Sequence, residues 1–247
     1  MNSNTFIYDR IRDRKSVAVL IDPEKCADRG RLLELLNKAE FAGIDFLFVG
    51  GSSVAAKDFH RVIGWIREGS RLPMVIFPGS GQQLTEKADA ILYLSLLSGR
   101  NPDFLIGHHV QTAIELFEMD IEVIPTGYLL IDGGALSSVA YMSQTTPIPR
   151  DHLAIVRQTA MAAKLLGKKL LFLDAGSGAR FTVPLGMISD MKKVGLPILI
   201  GGGVRSIQSI REMHDHGANV VVIGNRLEED MDLLLDIRNY LLEITNT

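Results

Sequence analysis

The chain has 247 residues, 47% of them hydrophobic and 22% charged, with a formal net charge of −3. This composition supplies a large apolar core, and the slight acidic balance excludes the basic excess of a nucleic-acid-binding surface. A single cysteine, Cys26, excludes an internal disulfide and a cysteine-clustered metal site. Near the amino terminus stand Asp9, Arg10, Arg12, Asp13, Arg14 and Lys15 rather than an apolar signal run, and no segment has the length of a membrane span. A cytoplasmic protein without an integral membrane segment is expected.

In chain order, short apolar runs alternate with amphipathic stretches. The runs at 17–22, 46–49, 74–77, 90–94, 122–130, 170–174, 198–200 and 220–223 are almost continuously hydrophobic, as parallel strands buried on both faces are. Helical patterns at 31–42, 55–68, 114–118, 152–166, 185–194, 207–216 and 227–243 follow most of them. This repetition, at this length, predicts an α/β fold: one (β/α)8 TIM barrel spanning residues 1–247. Two stretches break the rhythm. After the third strand, Pro78-Gly79-Ser80-Gly81-Gln82-Gln83-Leu84 leaves little room for a crossover helix, so a loop or single turn is expected. Residues 132–149 hold Gly133, Gly134, Pro147 and Pro149, lack a helical period and read as a long loop. Residues 1–5 and 245–247 are polar and uncommitted.

The glycines gather after strands, in Gly50-Gly51-Ser52-Ser53, Gly176-Ser177-Gly178, Gly201-Gly202-Gly203 and Gly224-Asn225. Strand carboxyl ends carry the sites of such barrels, and the loops after strands seven and eight frequently bind phosphate. Any one cluster could serve only a tight turn; two at the expected strands favour a phosphate site. Asp22 closes the first strand, where Pro23 biases it away from helical dihedrals, and Asp174 closes the sixth. Two carboxylates at one mouth can divide labour, one holding a metal ion and one taking a proton; a helix cap or salt bridge is the structural alternative. Lys25, in the first βα loop, can help bind a diphosphate. Lys87, Lys168 and Lys169 precede strands and face the other end, which weakens a Schiff-base aldolase. The pair His108-His109 has no metal-ligand spacing and reads as loop or helix surface. Trp65 reads as packing, and Tyr128 suits a site or a core position equally.

These segments together resemble the geranylgeranylglyceryl phosphate synthase family, which includes bacterial heptaprenylglyceryl phosphate synthases. The resemblance covers nearly the whole chain. It rests on Asp22-Pro23-Glu24-Lys25, Val49-Gly50-Gly51-Ser52, Asn101-Pro102 followed by Leu105-Ile106-Gly107-His108-His109, and Pro125-Thr126-Gly127-Tyr128. Its later markers are Phe172-Leu173-Asp174-Ala175-Gly176-Ser177-Gly178, Gly201-Gly202-Gly203-Val204-Arg205 and Gly224-Asn225. It implies a modified barrel whose third helix is replaced by a loop. It also implies transfer of a prenyl group from its diphosphate to the 3-hydroxyl of sn-glycerol 1-phosphate, forming an ether lipid precursor. The segment around Asp174 is similar to the archaeal-type enzymes, which implies a geranylgeranyl donor. By matching positions, Asp22 and Ser52 would hold Mg2+, and Asp174 would take the hydroxyl proton. Phe172, Leu173, Asp174, Ala175, Gly176, Ser177 and Gly178, with Gly202, Gly203, Gly224 and Asn225, would bind glycerol phosphate. An apolar groove passing Tyr128 would take the tail, and a homo-oligomer is implied. Phe172-Leu173-Asp174 stands where the archaeal pattern often has Tyr-Leu-Glu, so a phenol is missing and the acid is one methylene shorter.

Two other readings fit the barrel. A phosphosugar isomerase would use Asp22 and Asp132 as its acids and need neither metal nor apolar groove. A non-catalytic binder of prenyl or phosphate ligands would bind without turnover.

Overall fold

The computed structural model describes residues 6–245; the polar ends at 1–5 and 246–247 lie outside the described residues. A short helix α1 (Ile7–Asp13) precedes the first strand. The strands are β1 (Ser16–Ile21), β2 (Phe46–Val49), β3 (Met74–Ile76), β4 (Ala90–Leu96), β5 (Glu122–Leu130), β6 (Leu170–Asp174), β7 (Ile198–Gly201) and β8 (Val220–Ile223). They close into one barrel in sequence order, with β1 paired in parallel to both β2 and β8. Outside run α2 (Arg29–Ala42), α3 (Ala56–Gly69), α4 (His108–Glu118), α6 (Leu153–Leu165), α7 (Leu185–Met191), α8 (Ile207–Asp215) and α10 (Leu233–Thr245), while the short α5 (Ser138–Ser143) and α9 (Asn225–Glu229) lie over the carboxyl ends of the strands. No helix lies between β3 and β4, so the predicted loop replaces the third crossover helix.

Two-residue alternation sorts the strand side chains. Val17, Val19 and Ile21 pack outward with the helices, while Ala18 faces inward with Phe46, Phe48, Val75, Leu92 and Phe172. The interior is thus a filled core rather than a pore. Helix α1 closes its amino-terminal end. Ile7 and Ile11 join the inner cluster, and the Glu122 carboxylate accepts the N–H groups of Ile7 (2.6 Å) and Tyr8 (3.2 Å). These are orphan donors of a helix start, satisfied from the first residue of β5.

Three expectations about helices need correction. Helix α1 was not legible, because only Ile7 and Ile11 carry its apolar stripe amid mixed charges. The 132–149 loop contains α5, started by the Ser137 hydroxyl accepting from the Ala140 N–H. The single helix expected over 227–243 is two. Asp230 is extended, and its carboxylate takes the Asp232 N–H at 2.9 Å, a local turn that competes with helix continuation.

Candidate active site

A cleft of about 340 Å³ opens over the carboxyl ends of the strands. Its polar end is built from the loops after β1, β6, β7 and β8. Lys25, after β1, donates to the Asn225 Oδ1 at 2.7 Å, and Asn225, after β8, donates through Nδ2 to the Ser177 hydroxyl at 3.1 Å. Residues 200 positions apart along the chain thereby meet across the mouth. Gly176, Ser177, Gly178, Gly202, Gly203 and Gly224 line the same end. At Gly202 the φ of +82° and the space both require glycine: a Cβ would lie 2.7 Å from the Gly176 nitrogen and 2.8 Å from an Asp174 oxygen. This close approach leaves backbone, not side chain, facing the cleft, which suits anion binding.

Both predicted acids reach the cleft. Asp22 is extended (φ −91°, ψ 109°), as its proline neighbour requires, and Oδ1 accepts the Glu24 N–H at 3.1 Å. Asp22 therefore caps the short Pro23–Lys25 turn and lines the cleft at once. Ser52, on the loop after β2, lines the same cleft. Asp174 is deeper and only 8% exposed. Its Oδ1 accepts the Gly176 N–H at 2.8 Å and its Oδ2 accepts the Tyr128 hydroxyl at 2.6 Å. Burial raises the Asp174 pKa above the ordinary carboxylate range, and these two donors oppose the rise. Burial and the adjacent Asp174 push the Tyr128 phenol well up, so it acts as a donor. Tyr128 is the register partner of Phe172. The phenol missing at Phe172 is thus met by one on the neighbouring strand, which reaches the acid directly.

The other arm of the cleft is apolar. Phe77, Tyr128 and Phe172 form its entrance, with ring centroids 5.0 to 5.9 Å apart. Beyond them the lining passes to Leu84, Ile91, Tyr93, His109 and Leu116. Ile91 and Leu116 belong to the outer cluster between strands and helices. The cleft therefore leaves the barrel mouth and continues over the outer face of β4, in the space that a third helix would cover. His109 was expected at a surface, but it is buried, its ring edge-on to Tyr93 at 4.2 Å. Burial, and secondarily the Lys168 charge, lowers its pKa, so it presents a neutral wall.

Most sequence-predicted residues thus converge: Asp22, Lys25, Ser52, Tyr128, Phe172, Asp174, Gly176, Ser177, Gly178, Gly202, Gly203, Gly224 and Asn225 all line one cleft. The side chains of Leu173 and Ala175 do not. Strand alternation turns them outward into the helix-facing cluster, and the Ala175 N–H is committed to the Gly201 carbonyl at 3.0 Å. Asp132, the isomerase's second acid, is also absent from the cleft; it accepts the Gly134 N–H at 2.8 Å in a loop turn. Sequence reasoning did not single out the distal wall of Leu84, Tyr93 and Leu116, which lie in three different segments: the loop after β3, β4 and α4. The short loop after β3 was the available signal.

The fold and cleft define a TIM-barrel protein with a glycine-lined mouth and an apolar arm at the carboxyl end of its strands. The chain belongs to the PcrB family, which it matches over residues 9–240. It is similar to the geranylgeranylglyceryl phosphate synthase of Chitinophaga pinensis, 43% identical over 235 residues, 95% of this chain and 93% of that one. The synthase of Korarchaeum cryptofilum is 38% identical over 235 residues, covering 94% of this chain and 96% of its own. Among solved structures, (S)-3-O-geranylgeranylglyceryl phosphate synthase from Thermoplasma acidophilum, in complex with substrate sn-glycerol-1-phosphate, matches with a TM-score of 0.89 at 30% identity. That match covers 98% of this chain and 100% of the other. An N-acetylmannosamine-6-phosphate 2-epimerase from Clostridium perfringens, at 11% identity and a TM-score of 0.59, shares the fold alone.

Proposed function

We propose that the protein is a Mg2+-dependent prenyltransferase that joins a geranylgeranyl group from its diphosphate to the 3-hydroxyl of sn-glycerol 1-phosphate. The observation that carries this reading is one cleft in which a glycine-lined mouth, a buried carboxylate and an apolar arm meet. Glycerol phosphate binds at the glycine loops after β6, β7 and β8. The prenyl tail lies along the apolar arm, past Tyr128 and toward Leu84 and Leu116.

Asp174 accepts the proton of the glycerol 3-hydroxyl as that oxygen bonds to the allylic carbon. The carbon–oxygen bond to diphosphate breaks, and the electron pair leaves with the diphosphate. Burial suits Asp174 to the task by making it a stronger base than an exposed carboxylate. Phe77, Tyr128 and Phe172 keep water from the allylic centre.

Asp22 and Ser52 would hold Mg2+. Among the described residues no cluster of three or more His, Cys, Asp or Glu could make an all-protein cage. One carboxylate and one hydroxyl beside substrate phosphates is nevertheless a donor set that Mg2+ accepts, because it retains water and phosphate ligands. When bound, the ion supplies neutralisation of charge on the leaving diphosphate. Lys25, held at Asn225, adds a cation there.

Homo-oligomerisation and a cytoplasmic setting belong to the same proposal. Val110, Ile114 and Phe117 are exposed along α4, the last by 94%, which supports a subunit contact. No helix among the described residues is long and apolar enough to cross a membrane.

The test is product analysis by mass spectrometry with Mg2+, geranylgeranyl diphosphate and either enantiomer of glycerol phosphate. Ether product from sn-glycerol 1-phosphate alone is expected. No product with any prenyl donor length would overturn the reading.

A further inference from the structure

Gln83 lies in the loop that replaces the third helix, and its side chain is fully buried at 0% exposure. It does not line the cleft. The ladder between β2 and β3 ends where the Phe77 N–H donates to the Val49 carbonyl at 2.9 Å. Beyond that rung the two chains become loops, 50–53 and 78–83, and the Gln83 amide takes over. Its Nε2 donates to the Gly51 carbonyl at 2.9 Å, and its Oε1 accepts the Gly79 N–H at 3.1 Å. Its own N–H donates to the Ser80 carbonyl at 3.2 Å, which holds the side chain's root in a turn.

The Gly51 carbonyl belongs to the peptide that leads into Ser52, so a hydrogen bond to it sets the plane of that peptide. The two loops also touch directly. A Cβ at Gly79 would lie 2.1 Å from the Gly51 oxygen and 2.7 Å from the Ser52 Cα. On the other side Gly51 backs onto Asp22, whose Oδ1 would be 3.0 Å from a Gly51 Cβ. Leu84, the next residue, is buried and lines the apolar arm.

We infer that Gln83 is a positioning residue for the diphosphate end of the cleft: its amide splints the loop after β2 and so fixes Ser52 against Asp22 without touching the ligand. The inference rests on the reading of Asp22 and Ser52 as holders of the metal. Loss of partners behind metal ligands typically weakens metal affinity by about ten- to a hundredfold.

The experiment titrates inorganic diphosphate with Mg2+, and separately sn-glycerol 1-phosphate, into wild type, Gln83→Leu, Gln83→Glu and Asp22→Ala by calorimetry. Gln83→Glu keeps the side-chain shape and the acceptor for Gly79 but turns the donor into an acceptor facing the Gly51 carbonyl. It serves if the leucine variant fails to fold. Both Gln83 variants should bind Mg2+-diphosphate about tenfold or more weakly, with glycerol phosphate affinity unchanged. Wild-type diphosphate affinity in a folded Gln83 variant, with Asp22→Ala weakened, overturns this inference alone. Parallel loss of both ligands also overturns it, since that marks a general loss of structure. Wild-type affinity in Asp22→Ala overturns the metal assignment and the inference with it.

Discussion

Removing one oxygen in Tyr128→Phe tests how Asp174 is held for proton transfer. The ring contacts with Phe77 and Phe172 survive the change, so what is lost is the 2.6 Å hydrogen bond to Oδ2. Hydrogen bonds to charged groups contribute about 1.5–3 kcal/mol. Here the loss falls on the ionised form, because the phenol donates to the carboxylate. Burial already raises the Asp174 pKa, and Tyr128 and the Gly176 N–H oppose that rise. Without the phenol the pKa goes higher, and the acceptor is protonated over more of the acid range. The charged side chains around the cleft that could offset this are Asp22, Glu24, Lys25, Arg205 and Arg226, all unchanged. The assay is kcat against pH with saturating substrates. The acid limb should move to higher pH, with a loss of about ten- to a hundredfold at pH values on the limb and recovery in alkali. Glycerol phosphate binding should persist. A limb that stays at the wild-type pH would refute both the proton role of Asp174 and the part played by the phenol.

Asp174→Asn keeps the shape and the acceptor for the Gly176 N–H but cannot take a proton. Turnover should fall by about a hundredfold or more while sn-glycerol 1-phosphate still binds in calorimetry; normal turnover would remove the acid from the mechanism. Gly202→Ala forces a side chain into a left-handed backbone and to within 2.8 Å of the Gly176 oxygen. It should cost about 1–3 kcal/mol of stability and weaken glycerol phosphate binding, so a variant with wild-type melting and affinity would contradict the mouth geometry. His214 supplies a pH-dependent stability. Because the Ser16 carbonyl only accepts, Nε2–H must donate to it at 3.1 Å, leaving Nδ1 to accept the Tyr240 hydroxyl at 2.7 Å. Burial lowers its pKa from 6.5 to about 4. The unfolded chain therefore binds this proton below pH 6.5 and the native state only near pH 4. Stability should be full above the first value and fall toward the second by up to about 3 kcal/mol. Urea unfolding across that window should show a flatter slope in His214→Gln; an unaltered slope would exclude His214 as the source.

Local signals carried much of this protein. Eight continuous apolar runs specify buried parallel strands, because a strand covered on both faces leaves no position for alternating polarity. The dozen or so residues between β3 and β4, with Pro78, Gly79 and Gly81 among them, leave little room for a full crossover helix. Asp22 and Asp174 were readable as mouth residues because each ends its strand, and glycines mark the loops that line the cleft. The sequence motif swept in Leu173 and Ala175 with their neighbours, but strand alternation sends those two side chains outward. Pairings between distant segments were decided by the tertiary structure alone. Glu122 reaches the start of α1 across 115 residues, and Tyr128 finds Asp174 across 46. The apolar arm exists because Leu84, Tyr93 and Leu116 surround space that no helix fills. Gln83, which reads as an ordinary polar loop residue, becomes a buried splint only when the loop after β2 is brought against it. Periodicity and chain length record what a residue does within its own segment. Barrel closure decides which segments face one another, and that sets the partners of every buried polar group.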